Sequence, residues 1–370
     1  MPLSLSEILA EHWADYARAH RTHLCAAHYR AVRHVLACRT PALGGRLYKC
    51  EDCAKPHFAY HSCNHRSCPQ CGAREQQEWT ARQEAKLLPA AYFMVTFTLP
   101  AELRQACLAR PKELYDTLLK QSANALRDII ATKTGGGVTG FTGVLHTWGR
   151  QLQHHPHVHC IVPATAWHPG RKHLIHPKDQ DFLIHYRPLA ERFRNLMRLA
   201  LQNDHPEIYQ SLPPAAQAAF HPAKTWNVQL QHVGRGHTAV RYLARYVKRS
   251  AIGSQRLIGY DKHRNIRLHW TSSETGKPGI LTLTPHEFIR RWLLHVLPKG
   301  FARVRHYGFM SAAATRTLQA IRLHLGVDPK PEPILPEPKP HTCPCCGGTL
   351  TFLREIAPIR PLRAPPRKTA

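Results

Sequence analysis

Two short stretches of this sequence have the residue types and spacing to do chemistry. The first is "QLQHHPHVHC", residues 151–160, with four histidines in six positions. Histidine is common here, 28 among 370 residues. At that frequency chance alone supplies roughly two His-x-His triplets, and the chain has two, at 155/157 and 157/159. Context therefore has to decide. Read as a strand, 157–162 sends Val158, Cys160 and Val162 to one face and His157 and His159 to the other. The two histidine Cα atoms are then about 7 Å apart, close enough for both imidazoles to bind one ion. In a hairpin that pairs 148 with 155, His146 falls opposite His157 on the same face and becomes the candidate third ligand. A one-residue slip would remove it. His154 and His155 are assigned to the turn. No carboxylate lies in the hairpin, so Mn2+ or another transition ion suits the site at least as well as Mg2+.

The second stretch is "TAVRYLARYVKR", residues 238–249. On a helix, Val240, Leu243, Ala244 and Val247 form one apolar stripe, while Tyr242 and Tyr246 lie four apart on a different side. A tyrosine pair at that spacing is more often core packing, but here other residues fill the core stripe. Arg245, Lys248 and Arg249 flank the phenols and are the expected contacts to a phosphate backbone. Phenols among cations either stack on bases or attack phosphorus. A free phenol has a pKa near 10. A neighbouring Arg or Lys favours the phenolate, and a divalent ion on the scissile phosphate stabilises the developing charge. Attack gives a phosphotyrosine, which conserves the phosphodiester energy for rejoining.

A third set of residues is structural. Cys50-x2-Cys53-x14-Cys68-x2-Cys71 supplies two knuckles, the pattern of a tetrahedral Zn2+ site. Cys38, His57, His61, Cys63 and His65 are spare ligands, so a second zinc or a different choice of four stays open. At the far end "HTCPCCGG" offers His341, Cys343, Cys345 and Cys346, either half a site or a cluster of free thiols. Arg46, Lys49, Arg66 and Arg74 surround the first set and suit a DNA-contacting ribbon.

The elements that must position these residues follow from pattern. Residues 4–37 read as two helices, the first opened by a capping box, Ser4 to Glu7. "AYFMVTFTLP" (91–100) is a buried strand, and 112–133 is a long amphipathic helix stopped by Gly135-Gly136-Gly137. Residues 141–149 and 155–163 form the histidine hairpin. A helix at 188–203, an alternating strand at 225–233 and the tyrosine helix come next. A hairpin over 256–270, the strand "GILTLT" and a helix opened by Thr284 and Glu287 follow. Hairpins rather than repeated βαβ units predict an α+β fold with a mainly antiparallel sheet. The expected domains are 1–88, helical and zinc-ribbon-like; 89–326, catalytic; and 327–370, a Pro-rich linker, a Cys knuckle and a basic tail.

Lys and Arg number 51 against 24 Asp and Glu, a net charge of +27. Such an excess calls for a polyanionic partner, and nucleic acid is the usual one. No apolar run approaches the ~20 residues that span a bilayer. The N-terminal pattern is not that of a signal peptide. With twelve cysteines, that predicts a cytoplasmic, nucleoid-associated chain that uses thiols for metal rather than disulfides.

"CPQC", "YFMVTFTLP", "LHTWGRQLQHHPHVHCIVP", "YLARYVKR" and "EFIRRWLLHVLPKGFARVRHYG", in that order, closely resemble the two-tyrosine HUH (His-hydrophobic-His) transposases of rolling-circle bacterial insertion sequences. The resemblance covers about residues 20–325. It implies that His157 and His159 bind Mg2+ or Mn2+ and that Tyr242 and Tyr246 are the nucleophiles. It also implies single-strand DNA cleavage at element ends, a 5′-phosphotyrosine with a free 3′-OH, and transfer to target DNA. The implied fold is a central antiparallel sheet flanked by helices, with the metal histidines on a middle strand and the tyrosines on a neighbouring helix. A plasmid replication initiator or relaxase would share this chemistry. A non-enzymatic zinc protein that binds nucleic acid would share only the basic surface and the cysteines.

Overall fold

The structure, a computed structural model, describes residues 3–176, 183–247, 250–272, 275–337 and 341–359. Two helices, α1 (Leu5–Ala19) and α2 (Ala26–Ala37), lead into strands β1 (Gly45–Cys50) and β2 (Pro56–Tyr60) and helix α3 (Ala73–Ala85). Strand β3 (Tyr92–Thr98) precedes the short α4 (Arg104–Ala109) and the long α5 (Pro111–Thr134). The hairpin β4 (Phe141–Trp148) and β5 (His154–Pro163) is followed by a small one, β6 (Ala166–His168) and β7 (His173–Ile175). Helices α6 (Tyr186–Asp204), α7 (Pro206–Gln210) and α8 (Pro214–Ala218) lead to β8 (Val228–His232) and α9 (His237–Val247). Strands β9 (Leu257–Tyr260), β10 (Ile266–Thr271) and β11 (Pro278–Leu283), helix α10 (Pro285–Leu293), β12 (Val304–Tyr307), α11 (Thr315–His324) and β13 (Leu350–Ile356) complete the described elements.

The centre is a five-stranded sheet, order β12-β4-β5-β3-β8, in which each neighbouring pair is antiparallel. Alternation along β3 and β5 gives it two apolar faces. Phe93, Val95, Phe97, Leu145, Val158, Cys160 and Val162 pack against α5 and α6. The Phe97 ring meets Phe193 of α6 edge-on at 4.9 Å. On the opposite face Tyr92, Met94, Val144 and Ile161 meet Ala239, Val240, Leu243 and Val247 of α9, with Trp79 of α3 alongside. Helix α5 stops where expected, at Gly135 in the left-handed conformation (φ 63°).

This is the α+β architecture with antiparallel sheets that the hairpin pattern predicts. Three features depart from the expectations. Strands β9, β10 and β11 form a separate sheet. They pack, with α10, against α1 and α2 in a second core that includes Leu5, Ile8, Val32, Ile266, Leu268 and Trp292. Apolar packing therefore crosses the boundary expected at residue 88. Strand β13 pairs with β1, so the C-terminal piece completes the N-terminal ribbon in the order β13-β1-β2. The second capping box is only half formed. Thr284 accepts from the Glu287 amide, but the Glu287 carboxylate pairs with Arg290 and Arg291, each at 2.6 Å. At Ser4 both halves are present. Among the described residues no helix is long and apolar enough to cross a membrane.

Candidate active site and metal clusters

Strand β5 is the middle strand of the central sheet, and it carries His157 and His159 on the α9 face. The hairpin register pairs His146 with His157 and Val144 with His159. It slips by one residue after His146, so Trp148 pairs with His154 rather than with 155. This bulge takes up the slip beyond His146, which keeps its place opposite His157. His154 and His155 therefore belong to the strand and not to the turn. His154 Nε2 is 2.8 Å from the Tyr115 hydroxyl, and His155 Nδ1 is 3.0 Å from Arg104.

One ring nitrogen from each of His146, His157 and His159 falls within a cluster no wider than 4.8 Å. Two of the rings are fixed from behind. His157 Nδ1 donates to the His155 carbonyl at 2.6 Å, and His159 Nδ1 hydrogen-bonds the Thr96 hydroxyl at 2.8 Å. Both leave Nε2 for a ligand. His146 Nε2 is buried without a hydrogen-bond partner. That orphaned atom, beside two oriented imidazoles, gives a donor set that fits a metal ion. Burial lowers all three pKa values: His157 to about 4, His159 to about 3, and His146 well below the ordinary histidine range. All three are neutral at pH 7, as ligation requires. Thr96 escaped the sequence reading because only the β3–β5 register, Thr96 opposite His159, brings it here.

Helix α9 sets the tyrosines over this cluster. The Tyr246 ring centroid lies 4.2 Å from that of His146, and Tyr242 lies 6.1 Å from His159. The two phenol rings are 5.2 Å apart. The apolar stripe is buried as expected, but only Tyr242 is exposed. Tyr246 is half-buried between His146 and Trp148. Its environment also corrects the expectation of a favoured phenolate. Burial, and then a hydrogen bond with Tyr242, push the Tyr246 phenol up, against the opposite pull of Arg245 and Arg150. Arg245 is exposed on α9, whereas Lys248 and Arg249 lie outside the described residues. Arg303, which sequence reasoning missed, donates to the Tyr246 carbonyl and stands 5.5 Å over the Trp148 ring. It lies just before β12, and nothing local to it signals that contact.

The cysteines regroup. Cys50, Cys53, Cys68 and Cys71 do not form one cluster. Cys68 and Cys71 join Cys38 and Cys63, while Cys50 and Cys53 join Cys343 and Cys346. In the first set the Cys38 and Cys71 sulfurs are 3.4 Å apart and those of Cys63 and Cys71 3.7 Å. A tetrahedron with ~2.3 Å Zn–S bonds places sulfurs roughly 3.8 Å apart, and a disulfide would need about 2.05 Å. The reason for the regrouping is topological. β1 carries the Cys50 turn to the end of the ribbon where β13 begins, whereas Cys38 and the Cys68 knuckle sit in the second core. His61 belongs to neither set and lies 3.5 Å from Glu355. The His341 ring lies 4.9 Å from that of Tyr48, tilted by 47°. Of the flanking basic residues, Arg66 is turned inward onto the Phe301 carbonyl. Arg46 and Arg74 pair with Glu355 and Glu78, each at 2.9 Å. Lys49 is exposed.

Comparison with known proteins covers both halves of this arrangement. Residues 140–317, which include all three histidines and both tyrosines, match a family model described as "Putative transposase". Residues 8–99 match one described as "Transposase zinc-binding domain". The chain is 34% identical over 318 residues to a "Putative transposase" of Sinorhizobium fredii, covering 80% of this chain and 78% of the relative. It is 28% identical over 353 residues to the "Transposase for insertion sequence element IS801" of Pseudomonas savastanoi pv. phaseolicola, covering 88% of this chain and 83% of the relative. No solved structure matches the chain.

Proposed function

The chain belongs to the IS91-type family of insertion-sequence transposases with an N-terminal zinc-binding domain, and from that premise we propose that it moves DNA by rolling-circle single-strand cleavage and strand transfer through tyrosine. The observation that carries the proposal is the placing of two phenols directly over a buried cluster of three neutral imidazoles. In this reading the central sheet and its helices are of the HUH-endonuclease type.

His146, His157 and His159 would hold Mg2+ or Mn2+, which when bound polarises the scissile phosphate and stabilises the charge that develops there. Thr96 and the His155 carbonyl hold the imidazoles in the ligating orientation. A phenolic oxygen of Tyr242 or Tyr246 attacks phosphorus, and the P–O3′ bond breaks. The phenolic proton ends on the released 3′-oxygen, and the 5′-phosphate stays on tyrosine. In the reverse sense a 3′-OH of target DNA attacks the phosphotyrosine and frees the phenol. Two tyrosines allow two such links to be held in turn. Arg245 at the mouth meets the DNA backbone; Lys248 and Arg249 follow it in sequence and serve the same role. The setting is the bacterial cytoplasm, on nucleoid DNA.

The test is incubation of 3′-labelled single-stranded element ends with the protein and Mn2+ or Mg2+, resolved on a denaturing gel. A covalent adduct is expected from the wild type and none from Tyr242→Phe with Tyr246→Phe. An adduct that survives the double substitution refutes the assignment. An initiator or relaxase would give the same adduct, but the match to transposases along most of the chain favours the present reading.

A further inference from the structure

We propose that Cys50, Cys53, Cys343 and Cys346 form a second structural zinc site, one that the C-terminal segment must complete. The family model for the zinc-binding domain ends at residue 99 and the transposase model at 317, so neither reaches Cys343. The structure brings the four sulfurs within 4.8 Å of one another. Cys50 and Cys346 are 3.4 Å apart and Cys53 and Cys343 3.7 Å, near the edge of a Zn(S)4 tetrahedron and far beyond a disulfide.

Local geometry supports the same assignment independently. Each pair is a C-x2-C knuckle on a tight turn, and backbone amides point back at the sulfurs. The Cys53 amide donates to Cys50 Sγ at 3.5 Å and the Cys345 amide to Cys343 Sγ at 3.4 Å. Such N–H···S bonds stabilise bound thiolates. Gly347 takes φ +80°, and its amide donates to the Cys343 carbonyl at 2.8 Å, which closes the second turn. The two knuckles are held face to face by the pairing of Cys50 with Leu350 at the end of the β1–β13 ladder. Only a small ribbon surrounds them, with Phe58, Phe352 and Leu353 about half exposed or more. A ribbon with so little core depends on metal for its stability. His57 Nε2 lies 3.1 Å from Cys343 Sγ and is a competing donor, grouped with Cys345. Four thiolates outcompete that mixed trio for zinc.

With His157→Ala and His159→Ala in place, so that the imidazole cluster takes no zinc, the full-length chain purified with reductant and zinc should carry two zinc ions by native mass spectrometry. Adding Cys343→Ser with Cys346→Ser to that chain should leave one, and adding His57→Ala should keep two. Alkylation of the zinc-loaded wild type with N-ethylmaleimide, mapped by peptide mass, needs no variant. Cys343 and Cys346 should be protected, although Cys346 lies at the surface, while Cys25 and Cys345 react. One zinc in the His157→Ala, His159→Ala chain, two once Cys343→Ser and Cys346→Ser are added to it, loss of a zinc in His57→Ala, or alkylation of Cys346 as fast as Cys25 would each overturn the proposal.

Discussion

Thr96 contributes a single hydroxyl, yet that hydroxyl fixes which nitrogen His159 presents. Thr96→Val keeps the β-branched shape and removes the bond, so affinity for Mn2+ should fall by about tenfold to a hundredfold. Titration of adduct formation against Mn2+ checks this; an unchanged midpoint would remove Thr96 from the site. The imidazoles also predict a pH response. Burial lowers His157 to about 4 and His159 to about 3, so between those values and the unfolded value near 6.5 the unfolded chain binds more protons. Stability of the metal-free protein must then decline as pH falls from about 6.5 towards 4, as read from the thermal midpoint. Replacing His157 and His159 with Asn should flatten that slope.

At the scale of elements, the positions that read well were those governed by one strand or one helix. The period of two separated His157 and His159 from Val158 and Cys160, and a short hairpin put His146 opposite His157. The bulge before Trp148 was not legible, because nothing in the two strands' own patterns demands it. Nor was the fate of β9, β10 and β11, since alternation says that a strand has an apolar face and not which core receives it. Tyr246 is half-buried although it lies off the apolar stripe, because helical angles locate a side chain on its own helix but not against the sheet beneath. The cysteine sets were the least legible of all. Cys53 and Cys343 are 290 residues apart, and local spacing favours the wrong partners. One connection offers a sharp test of the sheet itself. Gly308, at φ +54°, follows β12, and a Cβ there would run into the Thr139 carbonyl. Gly308→Ala should cost at least about 2 kcal/mol, measured by urea denaturation; a neutral substitution would mean that β12 does not dock on β4 as described.

For the molecule as a whole, the +27 charge makes DNA affinity a strong function of salt. Binding to single-stranded element ends should weaken by roughly a thousandfold between about 50 and 200 mM salt if some seven phosphates are contacted. A nearly flat plot of log affinity against log salt would show that the basic excess is not spent on the DNA backbone. The β1–β13 pairing bears on something different, the timing of synthesis. Strand β1 leaves the ribosome about 300 residues ahead of the strand that covers its edge, a wait of the order of 15–60 s at bacterial elongation rates. Through that interval the nascent hairpin shows an open backbone edge to its neighbours on the polysome, and Cys50 and Cys53 stand without Cys343 and Cys346. Translation stalled between α9 and β13 would leave the three clustered histidines and both tyrosines made but the ribbon unclosed.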